Sequence, residues 1–158
     1  KLAKLLSKVG VKITASSLNT DLIKKLKKEI NLTEVTANDL YKTKCDFFSP
    51  CALGNAINQS NYSKLNCRAI VGAANNQLEN SKIGEWLLKN NIIYCPDYLV
   101  NSGGVIAIAS EINKSENFLE KQLEKIGDRL KSVLEESKKN TLSTDLVTRR
   151  LALERINS

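Results

Sequence analysis

The sequence predicts an α/β fold: a parallel sheet flanked by helices, followed by two helices with no strand between them. Three observations carry that expectation. Short apolar runs centred near Phe47, Ile70 and Ile93 recur about every 23 residues with helical material between them, the length of a parallel βα unit. Small and amide-bearing residues follow the runs: Ser49-Pro50-Cys51, Asn75-Asn76 and Asn101. Beyond Glu111 the strand pattern stops and only helical spacing continues.

In chain order, Leu2, Leu5, Leu6 and Val9 stand at helical spacing, and Gly10 closes the helix. The chain begins inside this element without a Met, which points to a preceding N-terminal part. Val11–Ala15 alternates as a strand, and 20–30 reads as an amphipathic helix capped by Asn19 or Thr20. A very short strand fits near Glu34-Val35, and a helical turn fits 38–41. Asp46–Ser49 reads as a buried strand ended by Pro50, and Cys51–Asn58 as a loop or short helix. A helical turn at 61–65, a strand over 68–72 and a helix over 81–90 follow, the last burying Ile83, Leu87 and Leu88.

The stretch Ile92–Glu111, IIYCPDYLVNSGGVIAIASE, holds the densest signal. A short apolar run ends at Pro96, Asn101 or Ser102 can cap a helix, and Val105–Ala109 is uncharged, as a buried helix would be. Gly103 and Gly104 lack a Cβ, so another molecule could approach closely. Further on, Ser115 can cap a long helix to about Lys139, in which Gly127 is a cost, and Thr144 can cap a last helix. Right-handed crossovers would bring all the strand ends to one rim, where open α/β sheets bind ligands.

A length of 158 residues suits one domain, and 42% hydrophobic with 26% charged residues is a globular composition. No apolar run reaches the roughly 18 residues of a membrane span, and no signal-peptide pattern opens the chain. The net charge of +7 comes largely from lysines such as Lys24, Lys25, Lys27 and Lys28. Their scatter, and the lack of interleaved aromatics, favours solvated helix faces over a nucleic-acid surface. The charge would also suit an anionic ligand such as a dinucleotide. The four cysteines form no CxxC pair and there is no His, so a metal site is not expected. Free cysteines in apolar surroundings fit a reducing cytoplasm.

Three rim segments carry a resemblance. CDFFSPCALG (45–54), GAANNQL (72–78) and CPDYLVNSGGV (95–105), in that order and spacing, resemble the cofactor domain of the glutamate/leucine/phenylalanine/valine dehydrogenases, most of all its leucine dehydrogenase branch. The likeness runs from the first helix to LALERI near the end. It implies a Rossmann-type domain, incomplete here: the first strand and its glycine-rich phosphate loop would precede Lys1. None of the seven glycines forms G-x-G-x-x-G. It also implies a division into a partial cofactor domain, 1–112, and a helical extension, 113–158, packed on it or on an N-terminal domain that holds the catalytic Lys and Asp.

The activity so implied is reversible, NAD-dependent oxidative deamination of an L-amino acid to its 2-oxo acid, in a homo-oligomer. This chain alone would be inactive. By the same resemblance, Pro50, Cys51 and Ala52 lie beside the nicotinamide half of the cofactor. Asn75 and Asn76 hydrogen-bond its ribose or carboxamide, and Asn101 reaches the nicotinamide or the substrate. The alternative for the asparagines at 75 and 76 is plain turn formation, and for Asn101 a plain N-cap. Ile108 matches a position lining the substrate side-chain pocket. Seven residues after Asn101, it would share that residue's helix face. An apolar side chain there favours a branched aliphatic substrate, because a buried glutamate carboxylate would lack a partner.

Some positions depart from the pattern. Ser17 stands where NAD-using members carry an acidic residue for the ribose hydroxyls, which admits NADP as well. Asn55 replaces a usual glycine, and Ala107 and Ser110 replace polar or acidic residues. Without the central first strand, Val11–Ala15 would have to pair with Asp46–Ser49, borrow a strand from a partner, or belong to a larger chain. The alternative reading is a remnant of a truncated dehydrogenase gene acting as a non-catalytic binding module.

Overall fold

The computed structural model describes residues 1–113 and 118–157. The expected cap at Ser115 lies outside them. The chain divides into two compact units, Lys1–Lys44 with Lys64–Asn66, and Cys45–Ser63 with Cys67–Ser158.

In the first unit, helix α1 (Leu2–Lys8) ends in a left-handed turn at Gly10, φ +78°. There the amides of Gly10 and Val11 donate to the carbonyls of Ser7 and Leu6. This geometry satisfies the last carbonyls of the helix, and it favours glycine. Strand β1 (Ile13–Ala15) leads to α2 (Thr20–Glu29), capped by Asn19, whose Oδ1 accepts from the amide of Leu22 at 2.9 Å. Lys24, Lys25, Lys27 and Lys28 lie exposed on α2, while Ile23 is buried. Strand β2 (Leu32–Glu34) pairs in parallel with β1, Thr14 opposite Thr33. Helix α3 (Ala37–Leu40) is capped by the Thr36 hydroxyl.

The second unit is built on a parallel sheet in the order β3 (Cys45–Phe48), β4 (Cys67–Ile70), β5 (Ile93–Tyr94). The register sets Phe48, Ile70 and Tyr94 side by side, all buried. It sets Phe47, Ala69 and Ile93 on the opposite face, where Phe47 is 68% exposed and Ile93 48%. The strand over Asp46–Ser49 is therefore not buried on both faces as expected; a period-two element is buried only where something packs against it. Among the described residues β1 pairs with β2, and β3 with β4, so the first of the three arrangements named above, Val11–Ala15 paired with Asp46–Ser49, is not the one adopted.

Helix α4 (Ser81–Lys89), capped by Asn80, packs against β5, and its Trp86 meets Tyr62 edge-on at 5.0 Å. After β5 comes a one-turn helix the sequence did not announce, α5 (Asp97–Val100), and then α6 (Gly103–Asn113). Helix α6 is not buried: Val105, Ile108 and Ile112 are exposed. Helix α7 (Phe118–Asn140) packs on α5, α6 and α8 (Thr144–Ile156), and α8 packs on α4 and β5. The cap of α8 is Ser143, one residue before the expected Thr144. The Thr144 hydroxyl instead donates to the Tyr94 carbonyl at 2.6 Å, tying α8 to the sheet.

A Cβ on Gly127, within α7, would meet nothing within 4 Å. Gly127→Ala should therefore stabilise the chain by about 1 kcal/mol through the helix propensity it restores. A raised urea midpoint with an unchanged slope is the expected reading, and a lowered midpoint would contradict it.

Candidate functional site

The three parallel strands end on one edge, and the segments leaving them interlock. The amide of Val71 donates to the Phe48 carbonyl at 3.0 Å, and that of Cys95 to the Ile70 carbonyl at 2.9 Å. Pro50, buried, accepts at its carbonyl from the amide of Ala74 at 3.0 Å. Gly72 lies so close to Pro50 that a Cβ there would stand 2.2 Å from the Pro50 carbonyl oxygen. Cys51 and Ala52 follow, exposed, and the Cys51 Sγ is 3.5 Å from the Ser49 hydroxyl. The chain next turns through Asn55 at φ +55°, a left-handed position that favours glycine. The Asn55 amide donates to the Asn76 carbonyl at 2.7 Å, and Ile57 bridges to Leu78 in parallel.

Gln77 braces this loop from beneath. It is fully buried, and its Nε2 donates to the carbonyls of Gly72 and Ala74 at 2.8 and 2.9 Å. Its backbone amide donates to Asp97 Oδ2 at 2.7 Å, while Asp97 Oδ1 accepts from the Tyr98 amide at 2.7 Å. Both carboxylate oxygens of a residue only 4% exposed are thus occupied. Asn101 reaches across from the end of α5, and its Nδ2 donates to Asn75 Oδ1 at 2.6 Å. Asn75 and Asn76 are exposed and Asn101 half-buried, with Asn76 at φ +50°.

Pro50, Asn75, Asn76 and Asn101 therefore stand together on one lip, with Cys51 and Ala52 leading away from it. Ser17 belongs to the other unit, where its hydroxyl accepts from the amide of Asn19 at 3.1 Å in the turn after β1. Ile108 is on α6 and 60% exposed. Contrary to expectation, it does not share a helix face with Asn101. Asn101 is the C-cap of α5 and α6 starts at Gly103, so seven residues are not two turns of a single helix. Nor do Asn101 and Ser102 spend their side chains as expected at the start of α6, since the Ser102 hydroxyl donates to the Leu99 carbonyl at 2.8 Å. The glycine pair divides its work. A Cβ on Gly103 would touch Leu123 Cδ2 at 3.4 Å, while one on Gly104 would enter open space.

Sequence reasoning missed Gly72, Gln77 and Asp97. An acidic residue directly after Pro96, at the start of a helical turn, was the available signal for Asp97. Nothing local announced Gln77, whose partners belong to other segments or to backbone. Behind the lip, burial pushes the Cys95 thiol up. Burial first, and the Asp97 charge second, push the Tyr94 hydroxyl well above its usual range. Tyr98 is shifted likewise by burial and by Asp145, to which its hydroxyl donates at 3.2 Å. Both phenols stay protonated at neutral pH. The lip itself offers amides and backbone, which donate and accept hydrogen bonds but do not gain or lose a proton near neutral pH. Such a surface suits holding a ligand with hydroxyl and carboxamide groups.

Comparison with known proteins agrees in extent with this architecture. Residues 7–149 match the family model described as Glutamate/Leucine/Phenylalanine/Valine dehydrogenase. The leucine dehydrogenase of Bacillus cereus is 36% identical over 159 residues, which cover 99% of this chain and 43% of that one. The phenylalanine dehydrogenase of Thermoactinomyces intermedius is 35% identical over 162 residues, with the same two coverages. The crystal structure of L-tryptophan dehydrogenase from Nostoc punctiforme superposes with a TM-score of 0.93 at 35% identity, covering 99% of this chain and 47% of that chain. The chain thus spans less than half the length of the relatives it matches. Among the described residues no helix is long and apolar enough to cross a membrane.

Proposed function

The chain belongs to the glutamate/leucine/phenylalanine/valine dehydrogenase family, and we propose that it supplies the nicotinamide-cofactor-binding part of an L-amino-acid dehydrogenase. What carries this reading is the joined pair of amides, Asn75 and Asn101, at the C-terminal edge of a parallel sheet. Pro50, Cys51 and Ala52 would flank the nicotinamide half, and Asn75 and Asn76 would bond its ribose or carboxamide. The open space over Gly104 leaves room for a ring. When bound, the cofactor takes up or returns hydride. The chain's own residues bind and orient it.

In this reading residues 1–112 form the cofactor part and 113–158 a helical extension of it. Asp97 is no candidate base, because both its oxygens are held by backbone amides. Turnover would then need residues from outside the lip, and the isolated chain would be inert. In the complete protein, a homo-oligomer, Asn101 and the exposed Ile108 would face the substrate, favouring an apolar, branched-chain amino acid. Ser17 brings no carboxylate to repel a 2′-phosphate, which supports use of NADP beside NAD.

The test is titration of the chain with NADH and NADPH, followed by nicotinamide fluorescence. Saturable binding of both is expected. Asn101→Ala should weaken it about tenfold, the worth of a hydrogen bond or two at a partly buried site. Ser17→Asp should disfavour NADPH alone. A linear, unsaturated response to both nucleotides up to millimolar levels would sink the proposal.

A further inference from the structure

We propose that Cys45 and Cys67 form a site of reversible oxidation, closing to a disulfide across the open face of the three-stranded sheet when the chain meets a peroxide. The register pairs them directly, Cys45 opposite Cys67 on neighbouring parallel strands. Neighbouring strands stand about 4.8 Å apart, inside the range of roughly 4.4–6.8 Å between Cα atoms that a disulfide spans. Residues paired this way project to the same face of the pleat. That face also carries the exposed Phe47 and Ile93, so an oxidant in solution can reach it. Both thiols are free and half-buried.

The other two cysteines are poor competitors. Cys51 lies beyond the end of β3, and Cys95, buried, beyond the end of β5. Cys45 and Cys67 begin their strands, so the length of a strand separates each from Cys51 and Cys95. Within the pair, burial and then the charge of Cys45 push the Cys67 thiol up to about 11. That the Cys67 thiol feels the charge of Cys45 accords with the closeness the register gives them. Burial, and then Asp46, raise Cys45 by less.

The chemistry balances with one peroxide. The Cys45 thiolate attacks a peroxide oxygen and the O–O bond breaks. One oxygen stays on sulfur as a sulfenic acid, and the other leaves as hydroxide and takes up a proton to become water. The Cys67 thiolate then attacks the Cys45 sulfur, the S–O bond breaks, and the departing hydroxide is protonated to a second water. Two thiols are oxidised to one disulfide while the peroxide oxygens are reduced. Because both thiols are held above their ordinary value, the thiolate population grows with pH, and the rate should rise steadily from neutral to alkaline solution.

Oxidation of the whole chain with graded hydrogen peroxide, alkylation, and disulfide mapping by mass spectrometry test this. Alkylatable thiols should fall from four to two, a peptide linking Cys45 to Cys67 should appear, and dithiothreitol should restore all four. Cys51→Ser should leave the linkage intact, and Cys45→Ser should abolish it. Peroxide consumption by Cys51 alone, with Cys45 and Cys67 still alkylatable, would overturn the proposal. So would a disulfide joining any other pair.

Discussion

Gly72→Ala should cost the chain about 3–5 kcal/mol, enough to take much of the stability of a domain this size. The added Cβ would sit 2.2 Å from the Pro50 carbonyl oxygen and 2.7 Å from its nitrogen and Cδ. All three belong to backbone or to a rigid ring, so no rotamer change relieves the clash. Either β4's exit or the Pro50 segment must move. Moving it breaks the bond from the Ala74 amide to the Pro50 carbonyl that holds the lip. Gly104→Ala is the internal control, since its Cβ meets nothing. Urea unfolding followed by circular dichroism measures both. A midpoint for Gly72→Ala equal to that of the control would show that the strand exits are not packed as described.

Asp97→Ala should cost about 2–4 kcal/mol. Two amide N–H groups, those of Gln77 and Tyr98, lose their acceptor, and a buried donor without a partner forfeits roughly 1–3 kcal/mol. Asp97→Asn keeps one acceptor oxygen but sets an NH2 against the second amide, so it should recover only part of the loss. The effect should also reach the lip, because Gln77 is the residue that holds the carbonyls of Gly72 and Ala74. Amide hydrogen exchange over 72–77 should accelerate in the variant. Unchanged exchange there, with the stability loss present, would confine Asp97 to a local role in α5.

The strands that end at the lip were legible because their signal is local. Apolar runs at a βα period mark β3, β4 and β5, and the Pro50 and Pro96 that follow stop the strand pattern. Asn19 at the start of α2 was legible too, since a cap bonds an amide three residues away. Asn75, Asn76 and Asn101 stood out as a recurrence of amides at successive strand ends. The bond between Asn75 and Asn101 joins residues 26 apart, and that between Gln77 and Asp97 spans 20. No spacing rule reaches so far, and only the crossover connections bring such residues into contact. The short helix α5 escaped notice because four residues are too few to show a period.

By itself, then, the order of residues determined most of the segments that become strands and helices, the one-turn α5 excepted, and which small polar groups follow the strands of the three-stranded sheet. Those outcomes rest on backbone preferences and neighbours a few residues away. Burial was decided elsewhere. Phe47 and Val105 are as apolar as Phe48 and Ile83, yet the first two meet solvent and the last two the core. Hydrophobicity states only what a side chain gains on leaving water, and whether it leaves depends on what the folded chain sets opposite it.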